Sequence, residues 1–264
     1  MIKLFITDLD GTLLGQDHYI NDKDVEAIKK LAEEGVDFAV ATGRMDGDIV
    51  EVLKKTGLKG HRISQNGAFV YDRSDKNIHS NTFETEVAKR VYADILEEPL
   101  VTTITTADDS YSHEKNEWID MMSKQLFHDV IVDPELAEQL GVSIIPSKLT
   151  AHGKENEVMA LQKRIEENYG DELDCFVSHE TCVDLMPKNI NKANGIKALI
   201  EHIGLKPEEI AVIGDSFNDV SMFALTQNSF AMSTAHEDVK AKADHVVTHV
   251  HEAIEILYKK YSVV

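Results

Sequence analysis

Leu4-Phe5-Ile6-Thr7-Asp8-Leu9-Asp10-Gly11-Thr12-Leu13 is the stretch on which the reading of this chain turns. Residues 4–7 form a short run rich in strand formers. It stops at two acids separated by one residue, then a glycine and a threonine. Carboxylates at i and i+2 leaving a strand end can both face one crevice if the backbone turns at Gly11. One can then attack or hold a metal while the other handles a proton. A lone Asp-x-Asp-Gly reads equally well as a turn. The full Asp-x-Asp-Gly-Thr string directly after an apolar strand points to chemistry.

Outward from that strand, the chain alternates. Asn21 is placed to cap a helix in which Val25, Ile28, Leu31 and Ala32 share a face, ending at Gly35. Residues 36–41 read as a second strand, 49–55 as a helix and 62–64 as a third strand. The texture returns late, with helices over 192–202, 237–243 and 253–261 and strands over 210–213, 230–232 and 245–247. Strand–helix alternation with short links predicts an α/β fold, a doubly wound parallel sheet covered on both faces. The middle differs. Helices over 87–96, 118–127 and 158–168 mix with strands near 101–105, 148–151, 173–178 and 182–185. Glu180-Thr181 suits a hairpin link between the last two, which implies antiparallel pairing. We therefore expect a core of residues 1–81 and 188–264 interrupted by an inserted α+β domain of residues 82–187.

Three further pieces each follow an apolar run, and the carboxyl ends of parallel strands line one crevice. Ala41-Thr42-Gly43-Arg44 offers a hydroxyl and backbone N–H groups suited to a phosphate oxygen, although a capped loop accounts for it as well. Lys192 opens a helix, where a cation is mildly unfavourable unless an anion sits nearby. Lys188 is its rival. Gly214-Asp215-Ser216-Phe217-Asn218-Asp219 places Asp215, Asn218 and Asp219 within one turn, able to present three oxygen-bearing side chains to one place. With Asp8 and Asp10 this makes a hard, oxygen-rich site that suits magnesium better than zinc. Acids with a lysine and a threonine, in place of histidines or thiolates, indicate phosphoryl chemistry.

Composition removes other classes. The 264 residues carry 27 Lys+Arg against 47 Asp+Glu, a formal charge of −20, which argues against a general nucleic-acid binder. No run approaches the roughly 20 apolar residues of a membrane helix. Acid arrives too early at the N-terminus for a secretory signal. Cys175 and Cys182 fit no compact zinc or redox spacing and read as core-type thiols. The expectation is a cytoplasmic, soluble protein, a monomer or small homo-oligomer, that meets neither membrane nor nucleic acid. Trp118, the single tryptophan, reads as core of the inserted domain.

The four pieces, in this order, resemble the motifs of the haloacid dehalogenase-like (HAD) hydrolase superfamily. The Gly-Asp-Ser-x-Asn-Asp string and the long insertion resemble its Cof-type subfamily IIB, many of whose members are sugar-phosphate phosphatases. Asn66-Gly67-Ala68 also resembles a segment common there. One departure stands at Ala193, where the subfamily often has glycine after the lysine; here Gly195 comes two residues later. The resemblance implies that Asp8 attacks phosphorus to form an aspartyl-phosphate, and that Asp10 protonates the leaving alcohol and then activates water. It implies Mg2+ held by Asp8, the Asp10 carbonyl and Asp215, with Asp219 in support or as a further direct ligand. It implies phosphoryl oxygens held by Thr42, Lys192, Asn218 and backbone N–H groups near Leu9 and Gly43. Arg44, Asn66 and either His179 or Glu180 are candidates to reach the substrate. The inserted domain would be a cap that selects the leaving group. Asp10 favours a phosphatase over a dehalogenase, because a halide leaving group needs no proton. A phosphomutase using the same intermediate is the alternative. A non-catalytic phospho-ligand binder and a signalling receiver domain are remoter; receivers are shorter and lack the Asp-x-Asp-Gly-Thr string.

Overall fold

A computed structural model describes residues 1–15, 19–125, 129–179 and 181–261. The chain divides into two compact units, Met1–Ser80 with Asn191–Val264, and Asn81–Ile190.

The first unit opens with β1 (Leu4–Thr7), α1 (Asp22–Glu33), β2 (Asp37–Ala41), α2 (Asp46–Thr56), β3 (His61–Ser64), β4 (Phe69–Tyr71) and β5 (Asn77–Ser80). The second unit then runs α3 (Thr85–Leu96), β6 (Val101–Thr105), β7 (Ser110–Ser112), α4 (Glu117–Gln125), β8 (Val130–Val132), α5 (Leu136–Gln139), β9 (Lys148–His152), α6 (Glu155–Tyr169), β10 (Leu173–His179) and β11 (Cys182–Pro187). The chain returns to the first unit with α7 (Lys192–Ile203), β12 (Ile210–Gly214), α8 (Val220–Phe223), β13 (Ser229–Met232), α9 (Glu237–Lys240), β14 (His245–Val247) and α10 (Val250–Tyr261).

In the first unit the strands lie in the order β14-β13-β12-β1-β2-β3-β4-β5. Pairing is parallel from β14 to β3 and antiparallel through β4 and β5. Side chains alternate along each strand, so one strand feeds two cores. Phe5, Val40 and Ile213 pack with Ile28 and Leu31 of α1, Ile49 of α2 and Ile254 and Leu257 of α10. Leu4, Ile6 and Val212 pack on the other face with Ile196 and Leu199 of α7, Met222 of α8 and Val239 of α9. That is the doubly wound arrangement expected. β1 lies between β12 and β2, so its carboxyl end, where Asp8 and Asp10 stand, is central in the sheet.

The second unit has the sheet order β10-β11-β9-β6-β7-β8, antiparallel except for β7 with β8. Leu149, Ala151, Val183 and Leu185 of one face pack with Val91, Tyr92 and Ile95 of α3 and Leu161 and Ile165 of α6. β10 and β11 form the expected antiparallel pair; Glu180 of the link lies outside the described residues. Both cysteines are free thiols and half-buried, and burial pushes the Cys175 thiol up to about 12. Trp118 is half-buried, its ring tilted 39° to that of His152 with centroids 3.7 Å apart, and it stands outside the apolar cluster of the described residues. Among the described residues no helix is long and apolar enough to cross a membrane.

Candidate active site

Asp8 leaves β1 with its backbone N–H donating to the Ile213 carbonyl at 2.8 Å, which carries the strand pairing on to Asp8 itself. Its side chain is buried and accepts from Lys192 Nζ at 2.5 Å. The same ammonium donates to Asp219 Oδ1 at 2.6 Å. Lys192 has no exposed side-chain surface, which such a residue tolerates only when its charge is matched. It is the first residue of α7, behind the N-cap Asn191, whose side chain accepts from Asn194 N at 2.9 Å. The two carboxylates meet the electrostatic objection to a cation at a helix start. The rival Lys188 is engaged elsewhere, donating to Asp174 at 2.7 Å within the second unit.

Asp215 and Asp219 join this cluster from the end of β12. One carboxylate oxygen from each of Asp8, Asp215 and Asp219 lies within 4.8 Å of the others. Thr12 Oγ1 donates to Asp215 Oδ1 at 3.2 Å, and Gly11 makes room for the approach. A Cβ on Gly11 would stand 2.3 Å from Asp215 Oδ2, and its φ of +80° is left-handed in any case. Asp219 Oδ2 accepts from the backbone N–H groups of both Asp215 and Ser216 at 2.9 Å, so Asp219 ties down the loop that carries Asp215. Burial pushes the Asp8 carboxyl well up against the pull of Lys192, and burial together with Asp219 raises that of Asp215. Burial alone would lower the Lys192 ammonium, but Asp8 and Asp219 outweigh it and hold the group charged.

Asn218 does not converge with its two acidic neighbours. Phe217–Asp219 is a single 3-10 turn, and three residues per turn send successive side chains about 120° apart. Asp219 turns inward, while Asn218 Nδ2 donates to Asn66 Oδ1 at 3.0 Å.

Asp10 and Arg44 form a second set. Arg44 Nε reaches Asp10 Oδ2 at 2.7 Å and an Nη reaches Oδ1 at 2.6 Å, a two-pronged ion pair. Arg44 therefore engages the paired acid in this structure. Thr42 is buried at the end of β2, its N–H on the Ile63 carbonyl at 2.9 Å and its Oγ1 accepting from Arg44 N at 3.2 Å. Gly43 lies beside the Asn66 amide. Leu9 is buried in the core, its carbonyl accepting from Leu14 N at 2.7 Å. Sequence reasoning gave Thr12 no task, although it stands inside the deciding string. It also gave Asn66 no partner within the site.

A family model described as haloacid dehalogenase-like hydrolase matches residues 5–254, and the chain belongs to this family of hydrolases, of the Cof type. Among its relatives, HMP-PP phosphatase of Serratia proteamaculans is 27% identical over 252 residues, covering 91% of this chain and 87% of that one. Phosphatase YwpJ of Bacillus subtilis is 26% identical, over 93% and 94% of the two chains. Among solved structures, TM0651 of Thermotoga maritima superposes with a TM-score of 0.90 at 30% identity, over 97% of each chain.

Proposed function

We propose that this haloacid dehalogenase-like phosphatase releases phosphate from a small phosphorylated metabolite, a sugar phosphate foremost, through an aspartyl-phosphate on Asp8. The observation that carries the reading is the buried Asp8 carboxylate, paired with Lys192 and grouped with Asp215 and Asp219 within 4.8 Å. Three carboxylates against one buried lysine leave an excess of negative charge made only of hard oxygen donors, a set that fits Mg2+. Asp8 and Asp215 would hold the ion, with the Asp10 carbonyl. Asp219 has both oxygens committed to Lys192 and to backbone N–H groups, and it supports the site by fixing Asp215. When bound, the ion would offset the repulsion between an anionic carboxylate and an anionic phosphate.

The chain's own residues carry the rest. An Asp8 oxygen attacks phosphorus, and the bond to the leaving alcohol breaks as Asp10 delivers its proton to that oxygen. Asp10 then takes a proton from the water that hydrolyses the acyl phosphate and regenerates Asp8. Arg44 pairs with both Asp10 oxygens here, which is the ionised form of that carboxyl, so one oxygen must leave the pair for Asp10 to carry the proton that it delivers. An ammonium has three donors, so Lys192, with two committed to carboxylates, keeps one for a phosphoryl oxygen. Thr42, Asn218 and the N–H groups of Leu9 and Gly43 complete the cradle. The residues 81–190 are proposed to choose the leaving group.

The test is phosphate release from a panel of sugar phosphates, nucleotides and cofactor phosphates, with Mg2+, with chelator, and with Asp8→Asn. Turnover should need the metal and fall by about three orders of magnitude or more in Asp8→Asn, since no other group supplies the covalent step. Undiminished release by Asp8→Asn would sink the proposal. Isomerised sugar phosphate without free phosphate would replace it with a mutase.

A further inference from the structure

Gln65, Asn66 and Gly67 follow β3 with φ of 47°, 56° and 100°, three successive residues in the left-handed region. Only one is glycine. An L side chain is disfavoured there, and consecutive instances persist only where surrounding structure over-determines them. The surroundings do so here from three sides. Gln65 N donates to the Arg44 carbonyl at 2.8 Å and Asn66 N to the Thr42 carbonyl at 2.9 Å, so the turn is stitched to the loop that carries Thr42, Gly43 and Arg44. Gly67 lies so close to the start of α7 that a Cβ on it would stand 2.5 Å from the Asn191 carbonyl oxygen. From α7, a Cβ on Gly195 would stand 2.9 Å from Gly67 Cα. The third contact is the side-chain pair, Asn218 Nδ2 on Asn66 Oδ1 at 3.0 Å. One strained turn thus touches the loop after β2, the helix that begins with Lys192, and the turn after β12.

We infer that Asn66 is a positioning residue: by accepting from Asn218, it fixes which end of the Asn218 amide faces the phosphoryl group. This rests on the phosphatase reading above. An amide has a donor end and an acceptor end, and an anionic phosphoryl oxygen needs the donor. An unheld Asn218 could turn either end to the crevice. Asn66 Oδ1 occupies one N–H of Asn218 Nδ2 and leaves the second for the substrate. Asn66 can do this because its own backbone is held by the Thr42 carbonyl and its amide lies along Gly43, 3.4 Å and 3.5 Å from where a Cβ there would be. Asparagine also suits the position for a local reason, being among the residues that enter the left-handed region most readily. The strained backbone is thereby converted into a fixed donor direction, and a donor fixed before reaction acts most strongly where charge develops on phosphorus.

The test is a double-mutant cycle with Asn66→Gly and Asn218→Ala. Glycine keeps the left-handed backbone and removes only the amide. With Mg2+ and p-nitrophenyl phosphate, each single variant should lose about tenfold in kcat/KM, with KM moving less than about threefold, and the double variant should lose no more than either. Asn66→Ala separates the role from backbone strain. It should melt at a lower temperature than Asn66→Gly, because its Cβ must enter the left-handed region, yet match its activity. Orthovanadate, a mimic of five-coordinate phosphorus, should bind the magnesium-loaded variants more weakly in the same non-additive pattern, read by calorimetry. Losses that multiply in the double variant would overturn the inference. So would Asn66→Gly within twofold of the parent, or an Asn218→Ala variant that loses nothing. Calorimetry needs no turnover, so a parent protein that releases no phosphate condemns the phosphatase reading, while the vanadate cycle still decides for or against Asn66.

Discussion

Replacing Lys192 with methionine keeps the length of the stem and removes the cation. Lys192 has no exposed side-chain surface and bonds Asp8 at 2.5 Å and Asp219 at 2.6 Å. Removing one partner of a buried ion pair costs about 3–5 kcal/mol, because the remaining charge stays buried and uncompensated. Here two carboxylates lose the same cation, but proton uptake by one of them caps the cost, so the whole network should lose about 3–5 kcal/mol near pH 7.5. At about 2–4 °C per kcal/mol for a protein of this size, the melting temperature should fall by about 6–20 °C. Urea unfolding with chelator present reads the loss, followed by far-UV circular dichroism because Trp118, the single tryptophan, sits in the other unit. The sign of the pH dependence follows from Asp8. Burial already raises its carboxyl, and Lys192 is what pulls it down. Without the lysine the folded protein holds protons more tightly than the unfolded chain, so the deficit should shrink as pH falls toward the ordinary carboxylate range. A loss below about 1 kcal/mol at pH 7.5, or a deficit that grows on acidification, would refute the argument, since buried uncompensated pairs cost several times more.

Gly11→Ala should fold but lose about 1–2 kcal/mol to its left-handed backbone. By displacing Asp215 it should also raise the Mg2+ concentration for half-maximal activity by about tenfold or more. An unchanged magnesium curve would mean that Asp215 does not hold the ion. In the inserted unit, burial lowers His152 to about 3, so the folded protein leaves it neutral where the unfolded chain protonates it near 6.5. Stability should therefore fall as pH drops through about 6.5 and level off near 3, by about 1–2 kcal/mol at pH 5 relative to pH 7.5. Trp118 fluorescence during urea unfolding reports this, and His152→Gln should abolish it; an identical fall in that variant would assign the effect elsewhere.

The pattern of strand, acid and glycine was legible because parallel strands buried on both faces read as continuous apolar runs, as in Ile210-Ala211-Val212-Ile213. β4 and β5 were not legible. Phe69–Tyr71 is only three residues, and Asn77–Ser80 is a partly exposed edge strand with Ile78 as its one apolar residue. β7 and β8, three residues each, escaped for the same reason. At the site, the strings around Asp8 and Asp215 named the acids, and Lys192 stood out as a cation at a helix start, a local conflict visible without the fold. The pairings were not. Whether Arg44 meets Asp10 or a ligand, and which way Asn218 turns, depends on the pitch of a single turn and on contacts between residues up to 152 positions apart.

The central position of β1 bears on how the chain is made. Leu4, Phe5 and Ile6 pair on one side with Asp37, Phe38 and Ala39, which emerge soon after them, and on the other with Ile210, Ala211 and Val212. At about 5–20 residues per second, the second set leaves the ribosome on the order of 10–40 s later. Throughout that interval an apolar strand offers one unpaired edge, the kind that captures other chains. A nascent or truncated chain ending before residue 209 should be bound by holding chaperones or precipitate, even though residues 81–190 would already be complete. The strand that leads into Asp8 therefore waits for its β12 partner until the whole of the second unit has been made.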